Sequence, residues 1–163
     1  MNVPKAIETA VAAMLRKYAE LGAKTVIRPF QNLNYDGTWD KTKDRELPVL
    51  DIRFAPERVD ETQATFVSEG SVLIGTHVQD DKNHAELSTI YGETHDVLRD
   101  IFRGFRGEID TAKYDEFKAL IAIEADIGST FEIGGITFGE PLAPYDDGNV
   151  NMIGIGFNIH FSL

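Results

Sequence analysis

One group of histidine and aspartate side chains has the composition of a metal site. Its members are His77, Asp80, Asp81 and His84. Imidazole and carboxylate groups at a strand-to-helix corner can bind a hard or borderline cation. However, carboxylate and amide groups at a helix start also cap free backbone N–H groups and interact favourably with the helix dipole. We therefore interpret this group as a helix start, with Asp81 or Asn83 as the cap, and predict no bound metal.

A second group is a row of arginines. Arg99, Arg103 and Arg106 recur at spacings that place them on one face of a helix, where they could bind an anion or a carboxylate-rich partner. Asp96 and Asp100 lie within one turn of them, so local ion pairs are the favoured explanation. An assembly contact through the three arginines is the alternative that we retain.

Residue patterns for covalent or cofactor chemistry are missing from the sequence. It contains no cysteine, its serines lie outside nucleophile-elbow motifs, and it has no phosphate loop or dinucleotide fingerprint. His95 and Asp96 are neighbours on a predicted helix, so their side chains diverge by about 100° and cannot form a dyad. His160 is interpreted as an exposed or interface histidine. We predict that the protein is not an enzyme, that no residue is catalytic and that no cofactor is bound.

The element that must organise the fold is the stretch 152–163. Apolar residues occupy every second position of it: Ile153, Ile155, Phe157, Ile159, Phe161 and Leu163. This period of two predicts an antiparallel, half-buried strand that is central to folding. Gly154 and Gly156 lie on the polar row, where another backbone, a neighbouring subunit or a bulge could approach closely.

The remaining elements follow from periodicity and turn residues. A helix runs from Pro4 to about Leu21, with Gly22 just past its end, and its charged residues Lys5, Arg16, Lys17 and Lys24 form a solvated face. The further predictions are a short strand at 25–30, strands at 49–54 and 71–79 joined by an acidic loop at 55–69, a helix at 83–102 ended by Gly104 and Gly107, a turn at Gly134-Gly135, a strand at 136–140 and a loop at 141–150. The segment 114–122, within the stretch 111–132, fits either a helix or a strand.

This order predicts an α+β protein with one mixed or mostly antiparallel sheet of about four to five strands, flanked by two or three helices. We expect a single domain over residues 1–163 with an extended loop at 32–46. That loop has balanced charges and an aromatic pair, and a loop of this length is usually functional or disordered. An exposed Trp39 would indicate a contact surface, and a Trp39 that folds back over an edge of the sheet is an equally favoured alternative. We predict that the loop is mobile in the isolated subunit and docks on a neighbour. Its candidate interface residues are Tyr35, Trp39, Lys41, Lys43 and Arg45.

The charge distribution limits the partners. Of the net charge of −11, residues through Arg28 contribute +3 (five Lys/Arg, two Asp/Glu) and the rest contribute −14 (eleven and twenty-five). An acidic surface repels nucleic acid, so direct DNA binding is disfavoured. The same asymmetry lets one copy of the protein attract the opposite pole of the next. No apolar run approaches the roughly 20 residues of a membrane helix, and we expect a soluble protein without an export signal.

The order of these elements resembles that of the tail terminator, or tail completion, proteins of long-tailed bacteriophages. The resemblance rests on the opening helix "IETAVAAMLRKYAELGA", the strands "LPVLDIRF" and "SVLIGTHVQ" followed by the helix "AELSTIYGETHDVLRDIF", and the closing "GITFGEP" and "MIGIGFNIHFSL". It covers most of the chain as an order of elements.

The resemblance implies a structural virion protein without catalytic activity. Such a protein would form a ring, typically a hexamer, that terminates the tail tube, contacts the tail tube protein and joins the tube to a neck or head-closure protein. DNA would pass through without specific binding, no membrane would be involved, and assembly would take place in the host cytoplasm. Two alternatives remain open: another head-to-tail connector protein, or a small α+β enzyme or ligand-binding protein with an unrecognised site.

Overall fold

The computed structural model describes residues 2–29, 48–62, 65–139, 142–146 and 150–163. Within them the protein is α+β, with three α-helices and an eight-stranded sheet. In chain order the elements are α1 (Val3–Tyr18), β1 (Val26–Pro29), β2 (Val49–Phe54), β3 (Arg58–Asp60), β4 (Thr65–Ser68), β5 (Gly70–His77), α2 (Ala85–Phe105), α3 (Ala112–Ala125), a 3₁₀ turn (Gly128–Thr130), β6 (Glu132–Phe138), β7 (Leu142–Asp146) and β8 (Val150–Ser162).

The sheet is built around β8, which has 13 residues. Strands β5 and β4 pair with one of its edges, and β7 and β6 pair with the other, all antiparallel. Beyond β5 lie β2 and then β1, and β3 pairs with β4. The sheet is mixed because β1 runs parallel to β2.

The predicted burial pattern of the final strand is confirmed in its second half, whereas near its start Ile153 is half-buried and Met152 and Gly154 of the opposite row are buried. Ile155, Phe157, Ile159 and Phe161 are buried at alternate positions. Leu163 is 49% exposed, so the apolar row ends at the core boundary one step earlier than we predicted.

The close backbone approach predicted at Gly156 is also confirmed. A Cβ atom on Gly156 would lie 2.8 Å from the Cα of Gly139. The N–H of Gly139 donates a hydrogen bond to the carbonyl oxygen of Gly156 at 3.0 Å. A side chain at this position would therefore push the two strands apart.

Helices α1 and α2 pack against the sheet, α3 packs against α1 and α2, and together they enclose the apolar core. Asn2 caps α1 by accepting a hydrogen bond from the N–H of Lys5 at 3.0 Å, and α1 ends at Tyr18 rather than at Leu21. The buried carboxylate of Glu8 accepts a hydrogen bond from the N–H of Phe54 at 2.9 Å, which fixes α1 on β2. The stretch 111–132, whose pattern fitted either a helix or a strand, contains α3 and the 3₁₀ turn.

Three predictions about connections are wrong. The predicted loop 55–69 contains β3 and β4, and the predicted loop 141–150 contains β7. These strands were missed because they are short, β3 and β4 lie within an acidic and polar stretch, and β7 contains Pro144, which disfavours a strand. Gly134-Gly135 lies inside β6 as a bulge, where the register with β8 shifts, rather than in a turn. The sheet therefore has more strands than the four to five predicted.

Both faces of β2 are buried, including the face that carries Asp51 and Arg53. The side chains of Asp51 and Arg53 are only 1% and 4% exposed. The Asp51 carboxylate pairs with Arg28 Nε at 3.0 Å and with Arg53 Nη2 at 3.0 Å. Buried charges persist where they are paired and hydrogen-bonded, and this cluster meets that condition.

Candidate assembly surface

The group at the start of α2 is a capping network. Asp81 is buried, and its carboxylate accepts hydrogen bonds from the N–H groups of Glu86 at 2.9 Å and Leu87 at 3.0 Å. The hydroxyl of Thr76 donates a third at 2.8 Å. Asp81 thus caps N–H groups of the first turn as predicted, although the N-cap position is occupied by His84, whose side chain makes no capping hydrogen bond. Asn83 takes no part in this network. In the part of the chain that the structure describes, no group of three or more His, Asp or Glu side chains could hold a metal ion.

The protonation of Asp81 reflects this network. Burial favours the neutral acid, but the three hydrogen bonds and the nearby His84 outweigh it, so the pKa of Asp81 lies below its ordinary value. The carboxylate is therefore ionised at neutral pH and complements the positive end of the α2 dipole.

The arginine row lies at the C-terminal end of α2, and each arginine has a carboxylate partner. Arg99 pairs with Asp96. Glu108 receives both Arg103 Nε, at 3.5 Å, and Arg106 Nε, at 2.9 Å. The favoured explanation, local ion pairing, therefore describes this face.

The partner of Asp100 differs from the one that its position suggested. Asp100 pairs with Lys113 of α3 at 2.8 Å instead of with an arginine of its own helix. Glu108, which follows α2, is the carboxylate that pairs with the arginine row in place of Asp100.

The row remains usable as a contact surface. The side chains of Arg99, Arg103 and Arg106 are 44–57% exposed, and exposed ion pairs contribute only about 0–1 kcal/mol each. The guanidinium of Arg106 also lies 5.6 Å from the ring centroid of Phe102. Exchanging the intramolecular carboxylates for those of a neighbour would therefore cost little free energy.

A second surface network joins α1 to α3, and sequence reasoning missed it. Glu116 accepts hydrogen bonds from Lys17 Nζ at 2.8 Å and from the Tyr18 hydroxyl at 2.5 Å. The hydrogen bonds of Lys17 and Tyr18 lower the pKa of Glu116. Lys113 Nζ lies 4.8 Å from the centroid of the Tyr18 ring. No local motif signals this network because its members are far apart in the sequence.

The predicted basic face of α1 is therefore only partly free. Lys17 is held by Glu116, and Arg16 donates a hydrogen bond to the carbonyl oxygen of Ile27 at 2.6 Å. Lys5 and Lys24 are exposed.

The two singled-out histidines are partly buried. His160 is 14% exposed, with Nδ1 3.7 Å from a carboxylate oxygen of Asp60. Of the two predicted alternatives, an exposed histidine is therefore wrong, and an interface histidine stays a prediction. The position of His160 is covered because β3 and β4, which we took for a loop, extend the sheet beside it. His95 stacks between Tyr91 and Phe138, and burial together with Arg99 lowers its pKa.

Three large apolar side chains among the described residues are exposed, and the sequence did not reveal them. Val59, Ile123 and Leu163 are 60%, 77% and 49% exposed. Val59 pairs across β3 and β4 with Phe66, and Phe66 pairs in turn with Phe161 near the end of β8. Val59 and Leu163 therefore both lie at the end of the sheet where β8 finishes.

Five of the predicted interface residues, Tyr35, Trp39, Lys41, Lys43 and Arg45, lie outside the described residues. Their assignment to an assembly loop stays a prediction.

No helix among the described residues is long and apolar enough to cross a lipid bilayer. No protein-family model matches the chain, and no curated protein matches it.

Proposed function

We propose that this chain is a structural virion protein that forms a ring at the end of a phage tail tube and joins the tube to the head-neck complex. The observation that carries the proposal is the order of elements. An amphipathic helix precedes an antiparallel pair of strands, β2 and β5, the long helix α2 follows directly, and antiparallel strands close the chain. This is the order in which the sequence resembles tail terminator proteins.

The distribution of charge supports the same proposal. A net charge of −11 disfavours adhesion to DNA, because an acidic wall repels phosphate groups. A duplex could therefore pass through a ring of such subunits without being held. The basic N-terminal part and the acidic remainder also favour contact between different faces of neighbouring copies.

The exposed side chains supply contact surfaces of two kinds. The arginine row is polar and can exchange its carboxylate partners, and Val59 and Leu163 are apolar at the far end of the sheet. In this proposal the ring contacts the tail tube protein and a neck or head-closure protein, and it is a hexamer located at the head-tail interface of the virion. The protein has no catalytic role and no cofactor.

Two other functions remain as candidates. Another connector protein, such as a head-closure or neck component, would use the same kind of ring assembly and differ only in its neighbours. A small α+β enzyme or ligand-binding protein is the less favoured alternative.

The test is a reconstitution with tail tubes of the phage that encodes the chain. Purified protein is added to the tubes and imaged by negative-stain electron microscopy, with native mass spectrometry of the protein alone and of the mixture. Rings that cap one end of each tube are the expected result. Rings that bind isolated heads but not tubes would indicate a connector on the head side. A monomer that binds neither heads nor tubes contradicts the proposal.

The arginine row is tested in the same assay. Reversing the charges at Arg99, Arg103 and Arg106 to glutamate should weaken capping, because the introduced carboxylates would repel an acidic partner. The same change at Lys5 and Lys17, which are exposed on α1, is the control and should leave capping unchanged. Equal loss in both variants would show that total charge, rather than this face, matters.

A further inference from the structure

A cavity of about 370 Å³ lies between the loop that follows α1 and the first turns of α2. Leu21 and Ile90 supply apolar surface, and Glu20 and Glu86 contribute carboxylates. Both glutamates are exposed. The cavity is therefore suited to an apolar side chain that is accompanied by a positive charge.

A segment with this chemistry lies on β3. Val59 is 60% exposed, and its neighbour Arg58 is 61% exposed in an ion pair with Glu69, which is 60% exposed. An ion pair so open to solvent is weak and can exchange its partner. Within the described residues β3 pairs only with β4, along one of its edges.

The cavity and the β3 segment lie at opposite ends of the sheet. The cavity residue Thr25 directly precedes β1. The pairings of β1 with β2, β2 with β5 and β5 with β8 place the first residue of β1 in line with Met152, near the start of β8. Val59 lies in line with Phe161, near the end of β8, through β4. Met152 and Phe161 are nine residues apart along β8, which corresponds to roughly 30 Å. One copy therefore cannot place its own β3 in its own cavity.

We propose that β3 of one copy docks into this cavity of the next copy. Successive side chains of a strand point to opposite faces, so Val59 enters toward Leu21 and Ile90, and the long side chain of Arg58 stays at the rim near Glu86. Such a contact joins two different faces and is heterologous, so its repetition closes into a ring or continues as a filament. The inference rests on the proposed ring function and identifies the surfaces that would build the ring.

The experiment uses two full-length variants that block opposite ends of the contact. Val59→Asp places a charge where the apolar side chain enters, and Thr89→Trp fills the cavity from an exposed position on α2. Each variant alone should self-associate about tenfold or more weakly than the parent, as expected for the loss of a central apolar contact. Mixed in equal amounts, the two variants should form a one-to-one dimer, because one interface of the pair remains intact.

The matched control is Ile123→Asp, which adds the same charge at a site on α3 that is 77% exposed and belongs neither to β3 nor to the cavity lining. It should associate as the parent does. Native mass spectrometry and sedimentation measure association, and thermal unfolding followed by circular dichroism verifies that each variant is folded. A charge exchange gives an independent readout: Arg58→Glu should weaken association, and adding Glu86→Arg should restore it.

Two results would overturn the docking proposal while leaving the ring function intact. One is a parent that forms rings or caps tubes while Val59→Asp and Thr89→Trp assemble equally well. The other is a mixture of the two blocked variants that does not dimerise although each is folded and impaired. A parent that stays monomeric with and without tail tubes would instead contradict the proposed function itself.

Discussion

Replacing Phe157 by alanine tests whether β8 organises the core. Phe157 is fully buried, and its ring makes edge contacts with Phe117 of α3, at a centroid distance of 6.5 Å, and with Phe138 of β6, at 5.5 Å. Truncation of a buried phenylalanine costs about 3–5 kcal/mol, which includes the lost transfer free energy and the cavity that remains. Each lost aromatic pair accounts for about 0.5–1.5 kcal/mol of such a cost.

This loss is a large part of the roughly 5–15 kcal/mol that stabilises a typical domain. For a chain of this size it should lower the melting temperature by roughly 6–20 °C. Urea unfolding followed by circular dichroism gives the free energy, and thermal unfolding gives the temperature shift. Leu163→Ala is the control on the same apolar row, and it should cost less than about 0.5 kcal/mol because Leu163 is largely exposed. A Phe157→Ala variant that melts within a degree or two of the parent would refute the central role of β8.

Three further predictions concern one contact each. Gly156→Ala should destabilise the protein by about 1–3 kcal/mol, because the added methyl group meets the backbone of Gly139. Gly92→Ala is the control: no atom lies within 4 Å of the added methyl group, so the change should be neutral or stabilising. Urea unfolding measures both. Asp81→Asn should cost about 1 kcal/mol at pH 7. The pKa of Asp81 is lower in the folded than in the unfolded protein. The ionised carboxylate therefore stabilises the fold fully above the unfolded pKa of about 3.9, and this contribution is lost as the pH falls through the lower folded pKa. Parent and variant should thus become equally stable in acid unfolding. Trp39 fluorescence should be red-shifted and easily quenched in the monomer and shielded in the assembly; a quencher-resistant monomer would contradict an assembly loop at 32–46.

Long periodic segments were predictable from the sequence because burial imposes their pattern. The alternation along β8 and the apolar stripes of α1 and α2 each produced an element of the expected type. The close approach at Gly156 was also predictable, because a glycine on the polar row of a strand leaves room that a second backbone can fill.

Short elements were not predictable, because their stability comes from neighbours that are distant in the sequence. β3 has three residues and, within the described part of the chain, pairs only with β4, which in turn pairs with β8. Neither strand is long enough to show a pattern of its own. The candidate assembly surface was therefore the part predicted least well. The surface that contains Val59 was hidden inside a predicted loop, and the partner of Asp100 proved to be Lys113 on another helix.

The buried ion cluster on β2 shows why a charged strand face need not indicate solvent. Arg28 lies opposite Asp51 in the parallel pair of β1 and β2, and Ile27 lies opposite Leu50 on the face that meets the helices. A shift of one residue in this register would turn Arg28 toward the helix layer, where Leu50 and Ile52 are fully buried. Such a shift would bury a guanidinium among apolar side chains and separate it from Asp51, which is far more costly than the exchange of one apolar residue for another. We infer that the charges contribute mainly to the register of β1, and that β1 in turn positions the loop that follows α1. Because Leu21 and Thr25 of that loop line the cavity at this end of the sheet, the buried cluster indirectly sets the shape of the proposed docking site.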